Sequence, residues 1–420
     1  MPKRSKHAVL AACLAVLVSP VAARAQPAQR VNLAQAIAIA AARSPVLDLA
    51  REDYRLAQVQ VDLARTGAAP NLALSGNVQH ATQGTSLTAN VRQLIFDGGR
   101  VLAQIRSAQS SQIAAAGTYK RAAQQLAFDV GQAYYNDLQA NAAEALARRI
   151  LAQNRRQEDL ISAQISAGTA SRVDYATAHI PTQRAQVQLT QAQGMAVSAQ
   201  TAFANALGLR ADAAIEPADT DANASMLPAQ PLEYDAALQR ALLLRPDYAA
   251  AQQTIEASRS SLHAAALGRS PQLNVLASTG VGSTLGAAGG LSSSAGLQLS
   301  LPVFDQGLTH AQVTQAEIQL DRARTLSAQL EIDIGMQVRQ SLATLTSARQ
   351  ALSQTDAELN GARGVLADTQ ELYRAGVTQL LQLLNAQANL TQAENDRLQA
   401  LYALRQAEQS YLFALGEVSL

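Results

Sequence analysis

One pattern of residues occurs twice along this 420-residue chain. The segment TGAAPNL is followed 201 residues later by LGRSPQL, which aligns Pro70 with Pro271. The segment FDGG, which begins at Phe96, is followed 208 residues later by FDQG, which begins at Phe304. Because a duplicated sequence folds as a duplicated unit, the two copies must supply the same elements in the same order. We therefore expect two tandem repeats, at residues 26–209 and 233–420.

Each copy predicts a helical region, a β-hairpin, a long helix and a return helix. The first copy begins with a helical pattern over residues 33–66, which Pro70 ends. Apolar and polar residues then alternate as in a half-exposed hairpin, while Leu276 falls on the polar face. The predicted elements are hairpins at about 72–96 and 273–304, long helices at about 100–166 and 308–374, return helices at about 173–208 and 379–416, and a linker at 210–232.

The long helices set the expected dimensions of the molecule. Residues 100–166 contain no proline, and a helix of that length is about 100 Å long. The content of Ala, Leu, Gln and Arg favours helix throughout, and Trp is absent. The change of offset from 201 to 208 places seven extra residues in the second copy. We expect them in a loop within the Gly- and Ser-rich stretch 280–295. The predicted fold is mainly α with a small β part.

The junctions between hairpins and long helices carry a repeated set of residues. The Gly98-Gly99 pair could indicate a phosphate-binding loop, but no Lys-Ser or Lys-Thr follows at the required spacing. A tight strand-to-helix turn explains the glycines better, with an aspartate near the N-terminus of each following helix. The predicted junction residues are Pro70, Phe96, Asp97, Gly99, Pro271, Phe304, Asp305 and Gly307.

The N-terminus has the features of a secretory signal peptide over residues 1–25. Lys3, Arg4 and Lys6 precede an apolar run, and an Ala-Arg-Ala sequence predicts cleavage after Ala25. A membrane anchor is the first alternative, but the apolar run is too short to span a bilayer. The second is a lipoprotein signal ending at Cys13, which would leave a very short apolar segment.

Charge and side-chain chemistry exclude several classes of function. Removal of the signal takes four basic residues from a chain of formal charge +1, leaving about −3, which gives no support for nucleic-acid binding. Cys13 is the only cysteine, and the mature chain would have none. His80, His179, His263 and His310 have no metal-ligand spacing, and no catalytic constellation is present. We expect neither a cofactor, nor a metal, nor an enzyme.

The four amphipathic strands are too few to close a membrane barrel in one chain. Single-chain barrels use at least about eight strands, and open strand edges are not tolerated in lipid. Several protomers that share one barrel meet this requirement, and three would supply twelve strands. The alternative is a soluble sheet packed on helices, which the same alternation would also produce.

The chain resembles the TolC-like outer-membrane efflux family along nearly all of its mature length. The resemblance implies a homotrimer with a 12-stranded outer-membrane β-barrel, continued by a periplasmic α-helical barrel. It implies a passive conduit for tripartite efflux or type I secretion, opened by a periplasmic adaptor and an inner-membrane pump of the RND or ABC type. A periplasmic helical-hairpin adaptor or scaffold is the alternative function. The motifs are VNLAQAIAIAAARSPVL (31–47), QLIFDGGR (93–100), FDVGQAYYNDL (128–138), SAGTASRVDY (166–175), ALLLRPDYAAA (241–251), LSLPVFDQG (299–307) and YRAGVTQLLQLLNAQANL (373–390).

The same resemblance assigns roles to the two hairpin tips. Asp174 and Tyr373 match an acidic gate residue and its tyrosine partner, although Asp174 could instead only cap the return helix. Where some relatives carry acidic rings, this chain has Gln382 and Asn385, which line the pore unless they face a neighbouring helix. The expected helix-tip turns and adaptor-docking residues are Gly168, Thr169, Gly376 and Val377.

Overall fold

A computed structural model describes residues 29–79, 84–213, 215–218, 227, 232–284 and 287–418. The predicted signal peptide, with Cys13, and His80 lie outside the described residues. The chain is mainly helical with a small sheet, which confirms the fold class at this level. The strands are β1 (Gln29–Val31), β2 (Asn71–Gln79), β3 (Gly84–Phe96), β4 (Ile215–Pro217), β5 (Gln272–Thr284) and β6 (Ala287–Ser300). The helices are α1 (Leu33–Ala41), α2 (Pro45–Thr66), α3 (Arg100–Ser166), α4 (Arg172–Ala206), α5 (Tyr234–Leu244), α6 (Pro246–Ala266), α7 (Leu308–Arg374) and α8 (Leu380–Leu415).

The helical region over 33–66 is two helices, not one continuous helix. Ser44 caps α2 through its hydroxyl, which accepts from the backbone of Leu47, and Pro45 takes the first helical position. Proline is favoured there and disfavours helix in the residue before it, so α1 stops and the chain bends by 54°. Within the described residues no single helix is long and apolar enough to cross a membrane, and this bent pair is the one combination that meets both criteria.

The predicted linker contains a strand that the sequence did not reveal. Strand β4 pairs in parallel with β1 at the start of the described chain. Val31 and Ile215 on these strands are buried in one core with Tyr134 and Phe203. Tyr134 also donates to the backbone oxygen of Ala218 over 2.7 Å. The linker therefore joins the N-terminal end of the chain to α3.

The four long strands form an antiparallel sheet in the order β2-β3-β5-β6. Their register puts the predicted apolar residues on one face, where Leu74 lies opposite Ala89 and Leu273 opposite Leu299. The second hairpin ends at Ser300 rather than at the predicted residue 304. Pro302 explains the difference, because proline has no N–H to donate to a strand partner.

The Gly- and Ser-rich stretch 280–295, in which a loop was predicted, is largely strand, and residues 285 and 286 between the strands lie outside the described residues. Residues 280–284 belong to β5 and residues 287–295 belong to β6. Cross-strand hydroxyl pairs accompany the backbone ladder, with 2.8 Å between the oxygens of Ser278 and Ser294. Paired hydroxyls of this kind offset the weak strand preference of the glycines.

The long helices lie side by side and leave two open edges. Near the sheet the packing order is α2, α3, α6, α7, and near the far ends it is α4, α3, α8, α7. We call β2, α2 and α4 the α2 edge, and β6 and α7 the α7 edge. The chain is thus a long sheet-like layer of elements with one open edge on each side.

Candidate functional site

The α3–α4 tip is a tight turn closed by backbone and capping hydrogen bonds. Gly168 has a φ of +76°, and Thr169 donates its backbone N–H to Gln164 over 2.9 Å. Ser171 and Asp174 then form a capping box: the Asp174 carboxylate accepts from the Ser171 backbone at 2.9 Å and from its hydroxyl at 2.7 Å. These bonds hold the pKa of Asp174 below its usual value.

The α7–α8 tip repeats the turn with different capping. Gly376 has a φ of +73°, and the N–H of the exposed Val377 donates to Leu372 over 2.9 Å. Helix α8 has no side-chain cap on its first turn. At the 208-residue offset Gln382 corresponds to Asp174, and its amide oxygen accepts from the hydroxyl of Thr378. The acidic capping residue of the first tip therefore corresponds to a neutral amide in the second.

The two tips pack against each other within one chain. Half-buried Tyr373 lies against Ile161 and Leu380, which joins α7 to α3 and α8. Asp174 and Tyr373 line the same surface depression. Within the described chain no hydrogen bond joins these two side chains, and Asp174 uses its carboxylate for the cap. The capping role of Asp174 is thus visible directly, while its gate role stays a prediction.

Gln382 and Asn385 are both exposed and lie three residues apart on α8. Residues three apart share one face of a helix, so the two amides point from the same side of α8. Leu383 and Ala386, each one residue further along, are buried about a quarter turn around the helix. The amides are therefore exposed beside the buried stripe of α8 in this chain.

A polar cluster near the first tip was missed from the sequence. Glu158 on α3 accepts from the Tyr175 hydroxyl at 3.1 Å and lies 2.7 Å from the His179 ring nitrogen. Burial raises the pKa of Glu158, but hydrogen bonds from His179, Thr182 and Tyr175 outweigh it and hold the pKa low. The counterparts at the 208-residue offset are Leu366, Leu383 and Gln387. Comparison of the copies at this offset would have revealed the difference.

The strand-to-helix junctions are turns capped by aspartate. Asp97 accepts from the backbone of Gly99 at 2.9 Å and of Val101 at 2.7 Å, and Gly99 has a φ of +93°. Asp305 accepts from the backbone of Gly307 and Thr309 and forms an ion pair with Arg269. This ion pair lowers the pKa of Asp305. The prolines Pro70 and Pro271 immediately precede β2 and β5, and the rings of Phe96 and Phe304 are exposed.

Asp137 is the one carboxylate of α3 whose side chain is fully buried. Its Oδ1 accepts from Asn141 at 3.0 Å, while Oδ2 has no hydrogen-bond partner within the described residues. Burial raises the pKa of Asp137 to about 6 and exceeds the opposing effect of Asn141, and nearby Glu216 adds to the rise. The group lies beside the core that holds the linker strand.

We expect Asp137→Asn to remove a pH dependence of stability. The folded carboxyl keeps its proton up to about pH 6, whereas the unfolded one loses it near its ordinary value. Between these values the folded state binds more protons, so stability falls as pH rises, by about 2 to 3 kcal/mol. Thermal unfolding of both proteins at pH 4.5 and 7.5 measures this. Equal pH dependence of the two midpoints would contradict the prediction.

The described residues contain no group of three His, Cys, Asp or Glu side chains that could hold a metal ion. His179 has Glu158 as its acidic neighbour, and that pair lacks a third ligand. The arrangement of the tips consists of turns, caps and packing contacts. It is suited to contact between helices.

Comparison with known proteins identifies the family. The model of the outer membrane efflux protein family matches residues 36–209 and 237–417. The chain is 25% identical to the outer membrane efflux protein BepC of Brucella suis, over 96% of this chain and 91% of BepC. It is 26% identical to the alkaline protease secretion protein AprF of Pseudomonas aeruginosa, over 75% of this chain and 66% of AprF. The outer-membrane channel OprN superposes with a TM-score of 0.77 at 20% identity, covering 91% of this chain and 89% of OprN. The chain therefore belongs to the outer membrane efflux protein family of TolC-like channels.

Proposed function

We propose that three copies of this chain form a passive conduit from the periplasm to the cell exterior, with a shared 12-stranded barrel in the outer membrane. The conduit serves an efflux or type I secretion system. The observation that carries the proposal is the pair of open edges that run along the whole protomer. Each edge needs a partner, and a second copy of the chain supplies the complementary one.

The sheet gives the first support for a shared barrel. Strands β2 and β6 each have a strand partner on one side only. The apolar face is exposed, with Leu74 at 71% and Leu291 at 76% of full exposure. Lipid can cover such a face, while pairing of β6 with β2 of the next protomer satisfies the edge backbone groups. The alternative of a soluble sheet packed on helices would leave this face without a cover.

The helices give the second support. Exposed apolar side chains lie on α2 and α4 at one edge and on α7 at the other, outside the buried faces of these helices. An apolar stripe on each edge would be buried when the edges of neighbouring protomers meet. The two edges differ, so the contact is heterologous and closes as a ring. The stripe residues are Leu49, Leu56 and Leu63 on α2, Val173, Ile180 and Val187 on α4, and Ile318, Leu326, Ile332 and Met336 on α7.

The tips form the periplasmic entrance in this proposal. A periplasmic adaptor docks on the exposed turns at Gly168 and Thr169 and at Gly376 and Val377, and couples the conduit to an inner-membrane pump of the RND or ABC type. BepC is described as an efflux protein and AprF as a secretion protein, which supports either kind of system. Asp174 and Tyr373 close the aperture by contacts between neighbouring protomers. The Asp174 carboxylate must then accept these contacts in addition to its capping hydrogen bonds from Ser171.

Fractionation of cells that express the chain tests the proposal. We expect a trimer in the outer membrane that resists detergent and dissociates on heating. A soluble periplasmic monomer would instead support the alternative of a helical adaptor or scaffold. Mass spectrometry of the mature chain also tests the predicted cleavage after Ala25 against lipidation at Cys13.

We expect little block of the conduit by polyvalent cations from the periplasmic side. Gln382 and Asn385 are exposed neutral amides, and rings of neutral groups concentrate no charge to bind such ions. Conductance in planar bilayers with and without added trivalent cations measures the effect. Gln382→Asp with Asn385→Asp is the matched variant and should gain block. Strong block of the unaltered protein at micromolar cation would contradict the prediction.

A further inference from the structure

The four strands of the sheet carry a single charged side chain. Arg92 on β3 is the only Asp, Glu, Lys or Arg in the sequences of β2, β3, β5 and β6. The register puts Asn71 opposite it on one side and Leu276 on the other, so it lies on the polar face. Its side chain is exposed. The guanidinium of Arg92 therefore has no negatively charged partner within the sheet.

The two aspartates at the strand-to-helix junctions already have hydrogen-bond or ion-pair partners. Asp97 accepts from two backbone N–H groups at the start of α3. Asp305 is paired with Arg269 and accepts from the start of α7. Within the described residues, the Arg92 guanidinium itself forms neither a hydrogen bond nor an ion pair. The charge of Arg92 therefore remains free to act on solutes that pass along the polar face.

The neighbours of Arg92 suit a side chain that reaches into water. Leu276, an apolar side chain that alternation places on the polar face, lies directly across from Arg92. An aliphatic neighbour can support the methylene stem of an arginine while its head stays hydrated. Gly296 follows on β6, and a Cβ there would meet no atom within 4 Å. This place on the polar face is open above the strands.

We propose that Arg92 makes the barrel selective for anionic solutes, that is, for carboxylates and phosphates. This inference rests on the proposed function, because the polar face lines the water-filled interior only in the shared barrel. Three protomers then supply a ring of three guanidinium groups. Guanidinium matches carboxylate and phosphate with charge-assisted, bidentate hydrogen bonds, and rings of basic side chains favour anions in pores.

The position of this ring separates it from the periplasmic tips. The tips carry neutral amides at Gln382 and Asn385, whereas Arg92 lies in the strands at the opposite end of the 67-residue helix α3. A solute that has passed the aperture would meet the ring last, on its way out. Selectivity in the barrel is therefore independent of gating.

Reversal potentials in planar bilayers under a KCl gradient test the role of Arg92. We expect Arg92→Gln to lower the chloride-to-potassium permeability ratio by about two-fold near 0.1 M salt, where the Debye length is about 10 Å. In 1 M salt, where this length is about 3 Å, the difference should largely vanish. The ratio of Arg92→Glu should fall further.

A double variant tests whether the positive charge on this face, rather than residue 92 itself, sets the permeability ratio. Asn90 lies on the same face two residues before Arg92, so Asn90→Arg combined with Arg92→Gln should restore the ratio. Conducting Arg92→Gln trimers with an unchanged ratio would overturn the role of Arg92 and leave the conduit intact. Unaltered protein that forms no conducting pore would overturn the proposed function and, with it, this inference.

Discussion

Leu56→Glu should yield a folded protomer that cannot assemble into a trimer. Leu56 is 58% exposed in the single chain and lies between Leu49 and Leu63 on the α2 edge. Assembly would bury the new carboxylate against the apolar stripe of α7 from the next protomer. An unpaired buried charge costs several kcal/mol, and the lost burial of leucine adds about 2 kcal/mol. Because the ring has three equivalent contacts, the cost is incurred three times.

The opposite side of α2 supplies a matched control for this experiment. Gln58 is exposed, and Asp62 and Arg65, four and seven residues later on the same side, form an ion pair. Gln58→Glu therefore introduces the same charge on the same helix at a solvated position. Native mass spectrometry of detergent extracts should find trimer for Gln58→Glu and monomer for Leu56→Glu, with equal helix content by circular dichroism. Equal amounts of trimer in the two variants would refute the assigned edge.

The helices and hairpins could be predicted from the sequence because their signals are local. Pro70 and Pro271 end helices, Gly168 and Gly376 have positive φ at the turns, and strict alternation gives the strand faces. The pairing of β1 with β4 could not be predicted, since it joins two three-residue strands far apart in the chain. The Glu158–His179 contact depends likewise on the packing of α3 against α4, which no local pattern encodes.

In the candidate site, too, only local features could be predicted from the sequence. The capping box of Asp174 is readable from Ser171 three residues earlier, because an N-cap and its partner have a fixed spacing. The end of β6 at Ser300 also follows from Pro302, because proline cannot donate to a strand partner. Apolar and polar residues continue to alternate through Leu301, and this pattern favours a longer strand. Contacts between protomers could not be located in this way, because a single chain contains only one of the two surfaces that meet in each contact.

Adjacent residues on β2 allow the two faces of the sheet to be tested with one kind of substitution. Leu74 is on the apolar face, while the Ser75 hydroxyl accepts from the Asn90 amide over 3.3 Å on the polar face. Leu74→Arg should abolish assembly in the outer membrane, because an arginine on the lipid face near mid-membrane costs about 2 to 4 kcal/mol in each protomer. Ser75→Arg should assemble normally, because its charge reaches water inside the barrel.

The comparison distinguishes a membrane barrel from a soluble sheet. Heat-modifiable trimer in outer-membrane fractions should be lost with Leu74→Arg and retained with Ser75→Arg, and Leu74→Ile should behave like the unaltered protein. If the sheet instead packed on helices with its polar face in water, Leu74→Arg would unfold the protomer, and protease resistance of the extracted chain would fall. A membrane-facing leucine predicts the other outcome: the helices, whose packing is remote from Leu74, remain protected while insertion fails. Whether Leu74 faces lipid or the protein interior thus distinguishes a membrane channel from a soluble protein.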